Sequence, residues 1–336
     1  MEYADILNVQ KQRMRGELKW WPDFFYHFTD VHNVVGILQS GWILSRERAA
    51  GVGAMVKDNA SRAVINATNV GNKRYGRLFF RPLTPTQYHS EGYKPPIIRD
   101  EQINANCPVP IFLCLDAVRT LMYPGTQFAE KGIAGERHQI QQGVEAFSNL
   151  NFEKIYHEGP YGPEDRDIKD YRHSEVIRLD GIPVEPLLRC ILCRTAAEKE
   201  TLLYMIRSYS MRMYNSYKDR ILYRPKLKCF NNNGVFIKSV FMDRGLLKVE
   251  FNDPEQRYHN HQQVYFNVTI ALSYVRQDGS VVGGEDGSVS CNYSFARSVE
   301  MWTRQDLQYD LLRVNIWFDQ ELMYQNELDM RETELF

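Results

Sequence analysis

Apolar and polar positions follow two periods along this chain, and the place where the period changes divides it. Before Pro225, short apolar runs alternate with helix-spaced stripes and long polar stretches. Residues 1–20 are polar and mixed, which predicts a short surface helix. The run FFYHFT, residues 24–29, predicts a strand. Asp30 then stands where an N-cap belongs, Val31, Val34, Val35 and Leu38 follow at helical spacing, and Gly41 can end the helix in a left-handed conformation. Residues 76–96 begin as a strand that Pro82 and Pro85 break, leaving Tyr88 and Tyr93 in a loop. PVPIFLCLDAV (108–118), EVIRLDGIP and LLRCILC predict three more strands, the second with a turn, while 123–174 is glycine-rich and loop-like. Thr195 and Glu198 have capping-box spacing at the head of a helix expected to run to about residue 220.

After Pro225 the period shortens to two. Segments such as VYFNVTIALSYV and GSVSCNYSF alternate between Gly, Asn and Asp turns, as half-buried strands do. Residues 228–309 predict an antiparallel sandwich, and the closing LLRVNIWFDQELMY a strand and a short helix. The domain reading is 1–225 followed by a β domain over 226–336, an α+β chain overall.

The 336 residues are 43% hydrophobic and 25% charged, the balance of a folded protein. A net charge of -1 makes no case for nucleic acid, but its distribution does. Residues 1–225 carry 30 Lys/Arg against 26 Asp/Glu, residues 226–336 carry 11 against 16, and residues 46–99 carry 10 against 3. A phosphate-bearing partner is therefore expected at the first part of the chain. No apolar run is long enough to span a bilayer, and the N-terminus lacks the apolar stretch of a secretion signal. With six cysteines, several in apolar runs, a cytoplasmic, reducing location is expected. Cys190 and Cys193 have the spacing of a redox or zinc pair, but no second pair completes a metal set, so no metal is expected.

Two residues draw attention as chemistry. Glu175 stands at the mouth of a strand, where a carboxylate can stabilise a sugar cation or take an acceptor's proton. Arg172, three residues earlier, could hold that carboxylate ionised or grip phosphate. The plainer alternatives are a solvent-facing strand residue and a surface ion pair. His27 ends another strand beside a helix N-terminus, whose free N–H groups can meet a diphosphate near Asp30–Asn33. The plainer alternative there is a satisfied structural histidine. Lys73, Arg74 and Arg77 can neutralise phosphates, with Tyr75, Tyr88 or Tyr93 stacking on bases. Arg81, between Phe80 and Pro82, is a further arginine candidate.

Three stretches in order carry a resemblance: FYHFTDVHNVVGILQSGWILS, YGRLFFRPLTPTQY and YRHSEVIRLDGIPVEPLLRCILCRT. Over residues 20–215 they resemble the His-x-Thr…Asn element, the Phe-Tyr-Phe…Pro-x-(Ser/Thr)-Pro-x-x-Tyr segment and the Arg-x-x-Glu strand of the DarT family of nucleic-acid ADP-ribosyltransferase toxins. The resemblance implies a split mixed sheet with helices as the core. It also implies NAD as co-substrate and transfer of ADP-ribose to a base in single-stranded DNA. Rival readings of the chain are transfer to RNA or to protein, or a non-enzymatic binding module. A toxin paired with an antidote protein and used against phage is the setting it implies. By position, Glu175 and Arg62 would be catalytic. His27, Thr29, Asn33, Ser45 and Arg81 would meet the cofactor, and Lys73, Arg74, Tyr75, Arg77, Tyr88 and Arg172 the nucleic acid.

Overall fold

The computed structural model describes residues 1–51, 70–99, 106–134, 139–257 and 263–331. Strands β1 (Phe24–Asp30), β2 (Trp42–Leu44), β3 (Tyr75–Phe79), β4 (Pro110–Asp116), β5 (Thr126–Ala129), β6 (Ile140–Gln141), β7 (Glu175–Leu179), β8 (Gly181–Pro183), β9 (Leu188–Cys193) and β10 (Ile221–Tyr223) fall before residue 225. Among the described residues, eight of them form one sheet in the order β10-β9-β4-β1-β3-β7-β5-β6. Only β10, alongside β9, runs parallel to its neighbour, so the sheet is mixed. β4 is buried along almost its whole length, which explains its unbroken apolar run.

The sheet does not pair evenly. β1 matches β4 through seven residues, from Phe24↔Asp116 to Asp30↔Pro110. Against β3 it makes one pair, Tyr26↔Phe79. The sheet therefore opens between β1 and β3 on the side toward His27 and Arg77. Behind β3 lies the small pair β2–β8, held by Trp42↔Pro183, Ile43↔Ile182 and Leu44↔Gly181. Gly76 of β3 is what lets this pair approach: a Cβ there would stand 2.7 Å from the Ile43 carbonyl oxygen and 2.8 Å from Gly181 Cα.

The helix Val31–Ser40 is capped as expected. The Asp30 carboxylate accepts from His32 N, and Gly41 at φ 73° ends it. The capping box of Thr195 and Glu198 is formed, with each side chain bonded to the other's backbone N–H. That helix does not run to 220. It stops at Tyr209, and Ser210, in an extended conformation, caps a second helix, Met211–Tyr217. A side-chain oxygen that can take the next helix's N–H competes with continuation of the first. Residues 85–90, read as loop, form a helix that Thr84 caps and Pro85 opens.

After residue 225 lie β11 (Ile237–Asp243), β12 (Leu246–Phe251), β13 (Tyr265–Val275), β14 (Val281–Asn292), β15 (Ser298–Trp302), β16 (Leu311–Phe318) and β17 (Glu321–Asp329). They form two antiparallel sheets, β11-β12-β15 and β14-β13-β16-β17. The helix expected at the end is a strand instead: Asp319 at φ 50° turns the chain, and β17 pairs with β16 from Phe318↔Glu321 to Leu311↔Asp329. Here the long partner strand overrides local preference. One core cluster runs from Ile6 through Leu202 to Tyr324, so these sheets share apolar packing with the first part of the chain. No helix among the described residues is long and apolar enough to cross a membrane.

Candidate active site

The strand order puts β3 between the strand that carries His27 and the strand that begins with Glu175. One residue of β3 reaches both. His27 donates Nδ1–H to the Arg77 carbonyl at 3.2 Å, which the opened ladder leaves without a strand partner from β1. A carbonyl can only accept, so the proton sits on Nδ1 and Nε2 is the acceptor. Among the described residues Nε2 has no hydrogen-bond partner. Burial pulls the His27 pKa down to about 4, so the ring is neutral at physiological pH. It is a structural histidine on one nitrogen and an unfilled acceptor on the other.

Glu175 is 4% exposed, so it is not the solvent-facing strand residue that alternation alone allows. It stands opposite Phe79 in the β3–β7 ladder, and Arg77, two residues along β3, lies on the same face. Arg77 Nη1 pairs with Oε1 at 3.6 Å, and the backbone N–H of Ile133 donates to Oε2 at 2.8 Å. Arg77 Nη2 donates to the main-chain carbonyl of Asn72 at 2.8 Å, and Asn72 Nδ2 donates to the Ile133 carbonyl at 2.9 Å. These contacts close a ring: Glu175, Arg77, Asn72, Ile133 and back to Glu175.

Thr29 and Asn33 sit at the end of β1 and in the first turn of the following helix. Both are buried, and Asn33 Nδ2 donates to Thr29 Oγ1 at 3.1 Å. Thr29 shares β1 with His27, and Asn33 follows in the helix that β1 leads into. The diphosphate expectation at this helix start needs correction. Val31 N donates to the Val109 carbonyl at 3.0 Å, and His32 N donates to the buried Asp30 carboxylate at 3.1 Å. The first amides are taken, and an anion already occupies the cap. Ser45 is buried and caps the helix Arg46–Gly51, accepting from Arg48 N at 3.3 Å.

Other expectations are redirected. Arg81 is 2% exposed, stacks on the Trp21 ring at 4.5 Å and donates to the carbonyls of Pro82 and His157. Burial lowers its pKa to about 9. Its guanidinium is committed to the interior as it stands, which corrects the cofactor expectation. Arg172 does not hold Glu175. It turns to the loop beyond residue 156, bonding His157 Nδ1 at 2.9 Å and stacking over Tyr161 at 5.1 Å. Arg77, expected at the polymer, faces Glu175. Tyr93 is fully buried against Phe266 and Phe318 and donates to Asp319, so it cannot stack on a base.

Lys73 and Arg74 sit on the turn Val70–Arg74 just before β3, Arg74 exposed. Tyr75 follows, half-buried against Ala129, Ile133 and Ile177. Tyr88 is 45% exposed, open enough to meet a partner. Arg62 lies outside the described residues. Two members of the ring around Glu175 were missed from sequence. Asn72 stood in a stretch read only for charge, and the Ile133 N–H has no signature, since every residue but proline has one.

The family model described as "ssDNA thymidine ADP-ribosyltransferase, DarT" matches residues 26–223. Solved structures that this chain is similar to include the Thermus sp. 2.9 DarT in complex with NAD+, at 16% identity and TM-score 0.45, covering 61% of this chain and 97% of that one. The same protein in complex with carba-NAD+ matches at 15% identity and TM-score 0.46, with 61% and 97% covered. In complex with ADP-ribosylated ssDNA it matches at 14% identity and TM-score 0.41, with 61% and 96% covered. No curated protein matches the chain.

Proposed function

This chain belongs to the DarT family, and on that premise we propose that it transfers ADP-ribose from NAD to a thymine base in single-stranded DNA. The family is one of ADP-ribosyltransferases, and this chain is an NAD-dependent member of it. What supports the reading is one residue's position: Arg77 of β3 touches His27 through its carbonyl and Glu175 through its guanidinium, at the opening of the sheet.

The residues present suit the sugar and amide end of NAD. His27 offers a neutral ring with an open acceptor, able to take a hydrogen bond from a hydroxyl or carboxamide N–H without carrying charge. Thr29 and Asn33 add donors and acceptors beside it. NAD supplies a ribose bonded to a positively charged ring, which departs neutral with the bonding pair. Glu175 then has two tasks. Its negative charge stabilises the cationic ribose, and it takes the proton from the attacking thymine ring nitrogen as that nitrogen bonds to C1′. Thymine in DNA carries one ring N–H, so one proton leaves and one bond forms. A single strand presents that N–H unpaired, without the cost of opening a duplex.

The unit that performs this is residues 1–225, and 226–336 is the accessory unit through which an antidote or another partner binds. A toxin role in anti-phage defence and a cytoplasmic location belong to the same reading. The test is incubation of the full chain with labelled NAD and matched single-stranded DNA, RNA and protein, followed by mass spectrometry of the product. Label on thymine in DNA is the expected result. Label confined to RNA or protein would replace the acceptor, and no label on any of them would overturn the enzyme reading for these conditions.

A further inference from the structure

We infer that Arg77 is a positioning residue for the transfer reaction, acting on both chemical groups of the site at once. This rests on the proposal that Glu175 is the reaction's carboxylate. The resemblance gives Arg77 no such part, and sequence charge placed it with the polymer.

A carboxylate at the first residue of a strand can rotate about its last bonds, and its useful orientations are few. Here its two oxygens are held by different elements: Oε1 by Arg77 of β3, Oε2 by the Ile133 N–H that follows β5. The Arg77 contact at 3.6 Å is charge pairing rather than a hydrogen bond, so it orients Glu175 through its charge. Arg77 is itself anchored, since its other terminal nitrogen donates to the Asn72 carbonyl at 2.8 Å. Asn72 then reaches across to the Ile133 carbonyl at 2.9 Å, so the two supports of Glu175 are tied to one another. The same residue's carbonyl takes the His27 Nδ1–H, which leaves Nε2 as the acceptor. The Arg77 side chain thus sets the carboxylate while its main chain sets the imidazole, so replacing the side chain acts on Glu175 and leaves the His27 contact in place. Lysine could keep the charge near Glu175 but could not also make the planar, two-ended contact.

The experiment compares Arg77→Met, Arg77→Lys and Asn72→Ala with Glu175→Gln in the full chain. It reads kcat for transfer, NAD Kd by calorimetry, and thermal melting. Arg77→Met is expected to lower kcat by about 10–100-fold with NAD Kd within about twofold of the parent, the scale of a misplaced catalytic group. Arg77→Lys is expected to recover part of that loss, and Asn72→Ala to lower kcat less than Arg77→Met. Should Arg77→Met fail to melt cooperatively, Arg77→Lys decides: a reduced kcat at unchanged Kd supports the inference, and an unchanged kcat overturns it. Parent-like kcat in Arg77→Met beside an inactive Glu175→Gln would overturn the role of Arg77 and leave the proposed reaction standing. Full activity in Glu175→Gln would instead remove the reading on which both depend.

Discussion

At the scale of single residues, Glu175 and His27 make separable predictions. Glu175→Gln keeps shape and loses the charge that the proposed reaction sets against the sugar. Transfer should be abolished while NAD binding, followed by calorimetry, stays near the parent value; a mutant with full transfer contradicts the assignment. His27 should matter to stability through pH. Its pKa is about 4 when folded, below the ordinary 6.5, because burial disfavours the charged ring. Between those values the unfolded chain binds more protons, so the stabilisation is complete above pH 6.5 and is lost as pH falls through 4. The ring's contribution is on the order of 3 kcal/mol. Thermal melting of the parent and His27→Gln from pH 7.5 to 4.5 should show a steeper fall for the parent; parallel curves would show that the ring is not held neutral.

At the scale of elements, the site depends on how closely strands can approach. Gly76 lies against backbone on β2 and β8, atoms that cannot rotate away. Gly76→Ala must push β3 outward, and Arg77 moves with it. The substitution should destabilise by about 1–3 kcal/mol, and chemical denaturation with an activity assay checks both effects. The break after Tyr209 is an element-scale feature, and Ser210 is its sequence signal. Ser210 is a good N-cap, accepting from Met213 N at 3.3 Å, yet helical spacing on either side disguised it. Ser210→Ala should cost about 1 kcal/mol, measured as a shift in the denaturation midpoint. Conversely, Asp30, Gly41, Thr195 and Glu198 were legible, because caps are local chemistry that needs no distant partner.

At the scale of the whole molecule, the sheets after residue 225 are built into the first part of the chain. Glu91, fully buried, accepts from Asn231 N, Asn231 Nδ2 and Asn232 N at 2.9, 3.2 and 2.7 Å, and Arg194 stands 3.6 Å away. Tyr324 donates to Glu200 at 2.7 Å, and Thr195 Oγ1 donates to the Ile237 carbonyl at 2.9 Å. A chain cut at 225 would take the Asn231 and Asn232 donors from buried Glu91 and the Phe266 and Phe318 rings from Tyr93. It should fail to show a cooperative melt by circular dichroism; parent-like melting of residues 1–225 would make the second unit a detachable accessory. Polymer binding is a whole-surface property as well. Lys73→Ala with Arg74→Ala should lower the salt slope of single-strand binding by about 0.7 per charge removed, and an unchanged slope would take that turn off the path.

The sequence alone determined the strands that are uniformly apolar, the helix caps, the change of texture after Pro225 and the two residues worth watching. Each is a matter of neighbours within a few positions. The tertiary structure decided what those residues face. Arg77, Arg81, Arg172 and Tyr93 were read by charge or ring type, and the fold sent the first to Glu175, the second onto Trp21, the third to His157 and the fourth into the core. Strand order is set by long-range pairing, so no local pattern could reveal that β3 would lie between β1 and β7. The helix start near Asp30 was legible as a cap, but only the fold showed that its first two amides are taken, by the Val109 carbonyl and by Asp30 itself.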